Sequence, residues 1–308
     1  MNIVLQLLLL AVGFAMLVKG ADFFVDGACW VAEKFRIPKL IIGLTIVAMG
    51  TSAPEAAVSL TSAAKGVADI TIGNIVGSNI MNVLVILGLA SVIIPLNVPK
   101  STVRIEIPFT ILITGLLYLL GMDGTVTFFD GVILALFFLA YLGYLLWSAI
   151  KNPEDAEDDG KILKPWQALL GLVGGMALIV WGADVAVDAA TEIALIIGLS
   201  ERFIGLTIVA LGTSLPELVT SVTAARKGSA DIAIGNIVGS NIFNILFVVG
   251  LSALIIPVPF SAAFLVDTLI ALGAAALLLV AVLPKQKLTR VGGIVMLLGY
   301  AAYLLYLL

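Results

Sequence analysis

Apolar residues fill long stretches of the chain, and short polar or charged runs such as LNVPK at 96–100 separate these stretches. The hydrocarbon core of a bilayer is about 30 Å thick, and about 20 helical residues cross it. Ten stretches come close to this length or exceed it, at approximately 2–18, 38–62, 70–94, 104–121, 128–150, 165–187, 203–225, 232–256, 262–283 and 290–308. The pattern predicts an all-α integral membrane protein with ten transmembrane helices.

The composition supports this class and excludes several functions. Hydrophobic residues make up 61% of the 308 positions and charged residues only 12%, and the mean hydropathy is +1.20. The chain has no histidine and a single cysteine, Cys29, which argues against a zinc centre or a disulfide framework. No nucleophile–base pair, cofactor motif or basic nucleic-acid patch is present, so we expect no enzyme, no cofactor and no nucleic-acid partner. No protein partner is evident either.

The basic residues predict an orientation in the cell membrane. If the N-terminus lies outside, all of the 16 Lys and Arg residues except Lys65 and Arg202 fall in cytoplasmic segments. Cytoplasmic loops of membrane proteins carry an excess of such residues. We therefore expect both termini outside and the charged loop 151–164 in the cytoplasm.

The chain also repeats itself at a constant repeat offset, which relates position 43 to position 205. GLTIVAMGTSAPE at 43–55 matches GLTIVALGTSLPE at 205–217, and DITIGNIVGSNIMN at 69–82 matches DIAIGNIVGSNIFN at 231–244. Each half holds five predicted spans, an odd number, so the second half enters the membrane in the opposite sense. We predict a first repeat at 1–150, a linker at 151–164 and a second, inverted repeat at 165–308, a plan typical of secondary transporters. Duplication alone does not explain why the matched segments are the most polar within the spans.

The matched segments carry chemistry that is unusual at membrane depth. Pro54 cannot donate to the carbonyl group of Gly50, so backbone oxygens near this turn are expected to be free for a ligand. Glu55 follows directly and lies on the same helical face as Thr51, while Pro216 and Glu217 repeat the device. The next span of each repeat carries a polar stripe at every fourth position, formed by Asn74, Ser78 and Asn82 and by Asn236, Ser240 and Asn244.

Together these residues predict an all-oxygen site, which suits hard cations such as Ca²⁺ and Na⁺. Serine and threonine within spans commonly bond back to their own helix. An intramembrane carboxylate, however, costs about 2.5–3.5 kcal/mol on insertion scales, and two at symmetric positions favour function. For the other acidic residues near span ends we expect solvated or interfacial positions: Asp22, Asp69, Glu106, Asp184, Asp231 and Asp267.

The paired motifs GTSAPE…GNIVGSNIMN and GTSLPE…GNIVGSNIFN resemble the two alpha repeats of the calcium/cation antiporter superfamily, specifically of prokaryotic-type sodium/calcium exchangers. The resemblance covers essentially the whole chain and implies four clustered cation sites between spans 2, 3, 7 and 8. It implies that Glu55 and Glu217 are the main calcium ligands, completed by the carbonyl groups of Thr51 and Thr213. One implied sodium site comprises Ala48, Ser52, Glu217 and Ser240, its symmetry mate comprises Ala210, Ser214, Glu55 and Ser78, and the centre holds Asn82 and Asn244.

This resemblance favours sodium/calcium antiport by alternating access. The potassium-dependent branch carries aspartate where this chain has Asn244, so we expect no potassium transport. The loop 151–164 is too short for the calcium-sensing domain of animal relatives. Calcium/proton antiport, with the glutamates as proton carriers, is the first alternative. A cation channel is the second, although broken helices in inverted repeats favour a carrier.

Overall fold

The computed structural model describes residues 3–66, 68–153, 164–197 and 210–307, with Asp69 and Ala210 described by their backbone alone. The described part is almost entirely helical. Its helices are α1 Ile3–Phe35, α2 Lys39–Thr51, α3 Ala53–Ala64, α4 Ile70–Ile93, α5 Thr102–Gly121, α6 Phe128–Lys151, α7 Pro165–Ile196, α8 Ala210–Thr213, α9 Leu215–Arg226, α10 Ala230–Ile255, α11 Ala262–Val282 and α12 Arg290–Leu307.

Eight of the described helices are long and apolar enough to cross a membrane, and the bent pair of α2 and α3 brings the number to nine. The span predicted over 203–225 is described only from residue 210, as α8 and α9. The count of ten therefore stays a prediction, and linker residues 154–163 lie outside the described residues. Helices α1 and α7 have 33 and 32 residues, so they extend beyond the predicted spans 2–18 and 165–187. With a rise of about 1.5 Å per residue, each helix is about 50 Å long, more than the hydrocarbon thickness.

Two short antiparallel ladders connect the halves of the chain. Strand β1 (Leu96–Asn97) pairs with β4 (Lys287–Leu288), and β2 (Thr125–Val126) pairs with β3 (Val258–Pro259). The repeat offset converts β1 into β3 and β2 into β4. Each strand of the first half therefore pairs with the strand of the second half that is not its own repeat counterpart. The repeat offset also relates the two ladders to each other.

The repeated motifs occupy the most buried helices. In α4 and α10, 83% of the most apolar window is buried, compared with 22% in α1 and 11% in α12. Helices α1 and α7 pack against each other in antiparallel fashion, with Gly13 beside Gly182 and Gly20 beside Gly175. A Cβ atom on Gly20 would lie 2.8 Å from the carbonyl oxygen of Gly175, so only glycine permits this approach.

One acidic residue departs from the interfacial position expected for it. Glu106 is 1% exposed, and the Tyr144 hydroxyl donates a hydrogen bond of 2.8 Å to its Oε1 atom. It is buried because α6 packs beside the first turns of α5, a contact that hydropathy along one helix does not reveal. Asp267 is half-buried and accepts a hydrogen bond of 3.1 Å from Tyr303, whereas Asp184 is exposed.

Candidate cation-binding site

Each matched proline motif interrupts a helix. Ser52 leaves helical geometry (φ −83°, ψ 8°), Pro54 lies in the first turn of α3, and α2 and α3 meet at a bend of 51°. Ser214 (φ −94°, ψ 4°) separates α8 from α9 in the same way. The break corrects the expectation that Thr51 and Glu55 share one continuous helical face, because the proline cannot donate a backbone hydrogen bond.

The two glutamates lie in the first turns of α3 and α9. Glu55 is 1% exposed and Glu217 is fully buried. A helix N-terminus carries positive partial charge, which stabilises a carboxylate placed there. Ser52, three residues before Glu55, contacts the Glu217 carboxylate directly. The fold therefore brings the two acidic groups into one buried region of the molecule.

The structure brings most of the other predicted site residues to the same region. Eight of them are at most 5% exposed: Ala48, Thr51, Ser52, Ser78, Asn82, Ser214, Ser240 and Asn244. Thr213 is half-buried. Ala210 begins α8, the short helix that ends at Thr213, and its side chain lies outside the described atoms.

Contacts around Glu217 connect the four residues of one predicted sodium site. The Ser52 hydroxyl donates a hydrogen bond of 2.9 Å to Glu217 Oε1. The carbonyl oxygen of Ala48 accepts from the Ser52 N–H at 3.0 Å and from the Ser240 hydroxyl at 3.4 Å. This carbonyl is therefore engaged in the structure, which corrects the expectation that Pro54 leaves it free. It is nevertheless positioned beside the carboxylate.

Around Glu55 the arrangement is similar but less connected. The Asn74 amide donates to the Glu55 carbonyl oxygen at 3.3 Å, and the Ser78 hydroxyl interacts with the Glu55 carboxylate. Among the described residues, the Ser214 hydroxyl has no hydrogen-bond partner, whereas its counterpart Ser52 bonds Glu217. The two halves of the site thus differ in conformation although their sequences match.

Ser59 and Ser221, which the sequence analysis did not single out, accept hydrogen bonds from the side chains of Asn74 and Asn236. Asn236 donates to the Ser221 hydroxyl at 2.9 Å, and its Oδ1 atom accepts from Thr51 at 2.9 Å. Asn74 donates to the Ser59 hydroxyl at 3.1 Å. Ser59 and Ser221 are related by the repeat offset, which was the signal that could have identified them.

A second missed pair, Asn79 and Asn241, lies at the contact between the repeats. Asn82 donates to Asn241 Oδ1 at 3.0 Å, and Asn244 donates to Asn79 Oδ1 at 3.1 Å. Each side-chain amide of the missed pair also donates to the backbone carbonyl of the other residue. Asn82 and Asn244 begin π-helical turns, Asn82–Leu87 and Asn244–Val249, a feature frequent at functional sites.

These contacts leave buried acceptor oxygens unsatisfied. Within the described residues, four symmetric oxygens have no hydrogen-bond partner: Glu55 Oε2, Glu217 Oε2, Asn82 Oδ1 and Asn244 Oδ1. An unsatisfied buried polar group costs about 1–3 kcal/mol. A cation with oxygen ligands removes this cost, and two carboxylates balance the charge of one Ca²⁺. No cluster of three or more His, Cys, Asp or Glu side chains occurs in the same described residues, so a cation bound between the two glutamates would need neutral oxygens as well.

The fold is that of a helical membrane protein, and the predicted site residues form a buried cluster of oxygen atoms. Residues 5–147 and 167–308 match the family described as "Sodium/calcium exchanger protein". Because this match covers nearly the whole chain, the protein belongs to the sodium/calcium exchanger family.

Individual relatives extend over most of the chain. The sodium/calcium exchanger MaX1 of Methanosarcina acetivorans is 31% identical over 99% of both chains. The inner membrane protein YrbG of Escherichia coli K12 is 40% identical, with 81% of this chain and 79% of that protein covered. The fold is similar to a solved structure of the sodium-calcium exchanger NCX_Mj, with a TM-score of 0.85, 31% identity and coverage of 98% and 99%. The family is one of exchangers rather than enzymes.

Proposed function

We propose that the protein is a secondary antiporter that exchanges sodium for calcium across the membrane by alternating access. The observation that carries this proposal is the buried pair Glu55 and Glu217, whose Oε2 atoms have no hydrogen-bond partner among the described residues. Membership of the exchanger family supports the same activity.

Calcium binds between these two carboxylates in the proposed mechanism, and the carbonyl groups of Thr51 and Thr213 complete its ligands. One sodium ion binds among Ala48, Ser52, Glu217 and Ser240, and a second among Ala210, Ser214, Glu55 and Ser78. Asn82 and Asn244 contribute amide oxygens at the centre. Each carboxylate belongs to a sodium site and to the calcium site. Occupancy by one ion therefore excludes the other, and this exclusion couples the two fluxes.

The proposed architecture has ten spans in two inverted repeats, 1–150 and 165–308, joined by a cytoplasmic linker at 151–164, with both termini outside. The exchange of strands between the repeats supports this arrangement, since each ladder pairs strands from different halves. Inverted repeats place a binding site at their interface near the middle of the bilayer, and the two asparagine pairs meet at such an interface.

Exchange is electrogenic and independent of potassium in this proposal. With two carboxylates, bound calcium leaves the site neutral, whereas sodium in three of the four clustered cation sites that the family resemblance implies leaves it positive. Such sodium loading moves net charge in each cycle. Asn244 supplies no third negative charge for an additional potassium ion.

The test is ⁴⁵Ca²⁺ uptake by purified protein in proteoliposomes. An outward sodium gradient without potassium should drive uptake, and an imposed membrane potential should change its rate. Uptake that runs equally well on a proton gradient without sodium would instead identify calcium/proton antiport. Uptake that requires potassium, or that ignores the potential, would contradict the proposed coupling. Trans-stimulation by calcium on the opposite side distinguishes a carrier from a channel.

A further inference from the structure

Two lysines occupy equivalent positions in the repeats. Lys65 follows the last residue of α3, and Lys227 follows the last residue of α9. The repeat offset that relates these lysines also relates Asp22 and Asp26 on α1 to Asp184 and Asp188 on α7. Each repeat therefore supplies one lysine and one pair of aspartates that are a helical turn apart.

Only one of the two lysines is paired with aspartates in the described part of the structure. The Lys227 ammonium lies 2.8 Å from Asp26 Oδ1 and 3.4 Å from Asp22 Oδ1, and it donates to the Asp22 carbonyl oxygen at 2.7 Å. Helix α1 packs closely against α9 beside this contact. In the proposed orientation this is the cytoplasmic side of the site, and it is closed.

The equivalent region of the other side is open. In the part of the chain that the structure describes, Lys65 takes part in none of the ion pairs, and α3 makes no comparable packing contact with α7. A cavity of about 220 Å³ lies between these two helices instead. Asp184 and Asp188 line it, and it extends to Pro54 and Pro216 at the two helix breaks.

We propose that these lysines are two alternating latches, and that Lys65 binds Asp184 and Asp188 when the outer cavity closes. Lys227 then leaves Asp22 and Asp26 as the cytoplasmic side opens. The inference rests on the proposed alternating access, in which the inverted repeats exchange conformations. The contact of Lys227 with Asp22 and Asp26 shows that two aspartates one helical turn apart can bind the ammonium group of a lysine at the end of an adjacent helix.

Electrostatics gives the open and closed states different roles. In the open state, the carboxylates of Asp184 and Asp188 raise the local concentration of cations along the cavity that leads to the helix breaks. In the closed state, the Lys65 ammonium replaces those cations and keeps the carboxylates compensated. One latch forms as the other breaks, so the number of latched lysines is unchanged by the transition.

The test measures gate position without transport. A cysteine is placed at Val58, on the wall of the outer cavity, in a chain in which Cys29 is replaced, and its labelling by a membrane-impermeant maleimide is timed. Lys65→Gln should raise the labelling rate, because the closed outer gate loses its latch. Lys227→Gln should lower it, because the closed cytoplasmic gate loses its latch. The expected changes are about two- to fivefold, the range for partly exposed ion pairs.

Matched variants exclude general effects of lost charge or poor folding. Lys285→Gln, at an exposed lysine outside both latches, should leave the rate unchanged. Adding Lys65→Gln to Asp188→Asn should give little further change, and the charge swap K65D/D188K should restore the parental rate. Equal shifts from Lys65→Gln and Lys227→Gln, or shifts no larger than that of Lys285→Gln, would overturn the inference.

The labelling assay and the uptake assay can fail separately. Opposite shifts in a protein that does not exchange sodium for calcium would retain the latches and refute the proposed function. Sodium-driven calcium uptake without opposite shifts would refute only the latches.

Discussion

Replacing either central glutamate by glutamine tests the site most directly. Glu55→Gln and Glu217→Gln keep the size and shape of the side chain but remove one of the two negative charges. We expect each variant to lose calcium transport, because one remaining charge cannot balance Ca²⁺ in a buried site. Glu106→Gln is a matched control, since this glutamate is equally buried (1% exposed) but lies against Tyr144 on α6.

Burial sets the size of the effect. With exposures of 1% and 0%, solvent screens neither carboxylate, so the small values of surface ion pairs do not apply. Removing one partner of a buried ion pair costs about 3–5 kcal/mol. At about 1.4 kcal/mol per tenfold change, the calcium affinity should fall by about a hundredfold to several thousandfold. The electrostatic part is proportional to the charge of the ion, so sodium binding should fall much less.

Calcium-dependent thermal stabilisation and ⁴⁵Ca²⁺ uptake measure this loss independently. A ligand at a hundred times its Kd stabilises a protein by about 2.7 kcal/mol, and a hundredfold loss of affinity removes most of that shift. Glu106→Gln should retain both signals. Glu55 and Glu217 are not the calcium ligands if either central variant folds and still binds calcium within about threefold of the parent, or if Glu106→Gln loses calcium binding to the same extent.

Three further predictions address orientation, packing and ion selectivity. Asp123 and Asn152 are both exposed. A single cysteine at Asp123 should react with a membrane-impermeant reagent added outside, and one at Asn152 should react only from the cytoplasmic side. Labelling of both from the same side would contradict the ten-span topology. Gly20→Val should lower the thermal midpoint of unfolding, because overpacking costs about 1–3 kcal/mol. Gly143→Val should lower it less, because a Cβ atom added there meets nothing within 4 Å. Equal losses would refute the close packing of α1 against α7. Asn244→Asp adds a third carboxylate to the site and should make calcium uptake responsive to potassium, and a variant that transports calcium but ignores potassium would contradict the charge argument.

Much of the candidate site could be predicted from the sequence because the repeat doubles every signal. A proline next to a glutamate within an apolar stretch is unusual once and improbable twice, so Glu55 and Glu217 were identifiable without coordinates. Family membership then followed from the whole-chain match. The break itself was predictable from Pro54, but not its position at Ser52 or its bend of 51°, because these depend on how the following helix packs.

Contacts between helices were the part that sequence reasoning missed. Asn79 and Asn241 lie in the same motifs as Asn82 and Asn244. They do not fall on the polar stripes at every fourth position, so helical periodicity did not identify them. Their role follows from the crossing of α4 and α10, which brings each asparagine beside the opposite repeat. Glu106 was misplaced for the same reason. Its distance from the end of a hydrophobic stretch was known, whereas its burial depends on α6.

The differences between the two halves bear on the energetics of transport. The matched motifs are nearly identical in sequence, yet Ser52 bonds a carboxylate while Ser214 has no hydrogen-bond partner among the described residues. Within the same residues, Lys227 forms ion pairs with aspartates and Lys65 forms none. Because these motifs are nearly identical, we expect the arrangement with the two conformations exchanged between the halves to be close in free energy. A ligand shifts such an equilibrium only by the difference between its affinities for the two states, and equal affinities shift nothing. In the proposed mechanism both arrangements offer an ion the same two carboxylates, so an ion binds both about equally. We therefore expect a loaded site to be able to open to either side, which is what the proposed antiport requires.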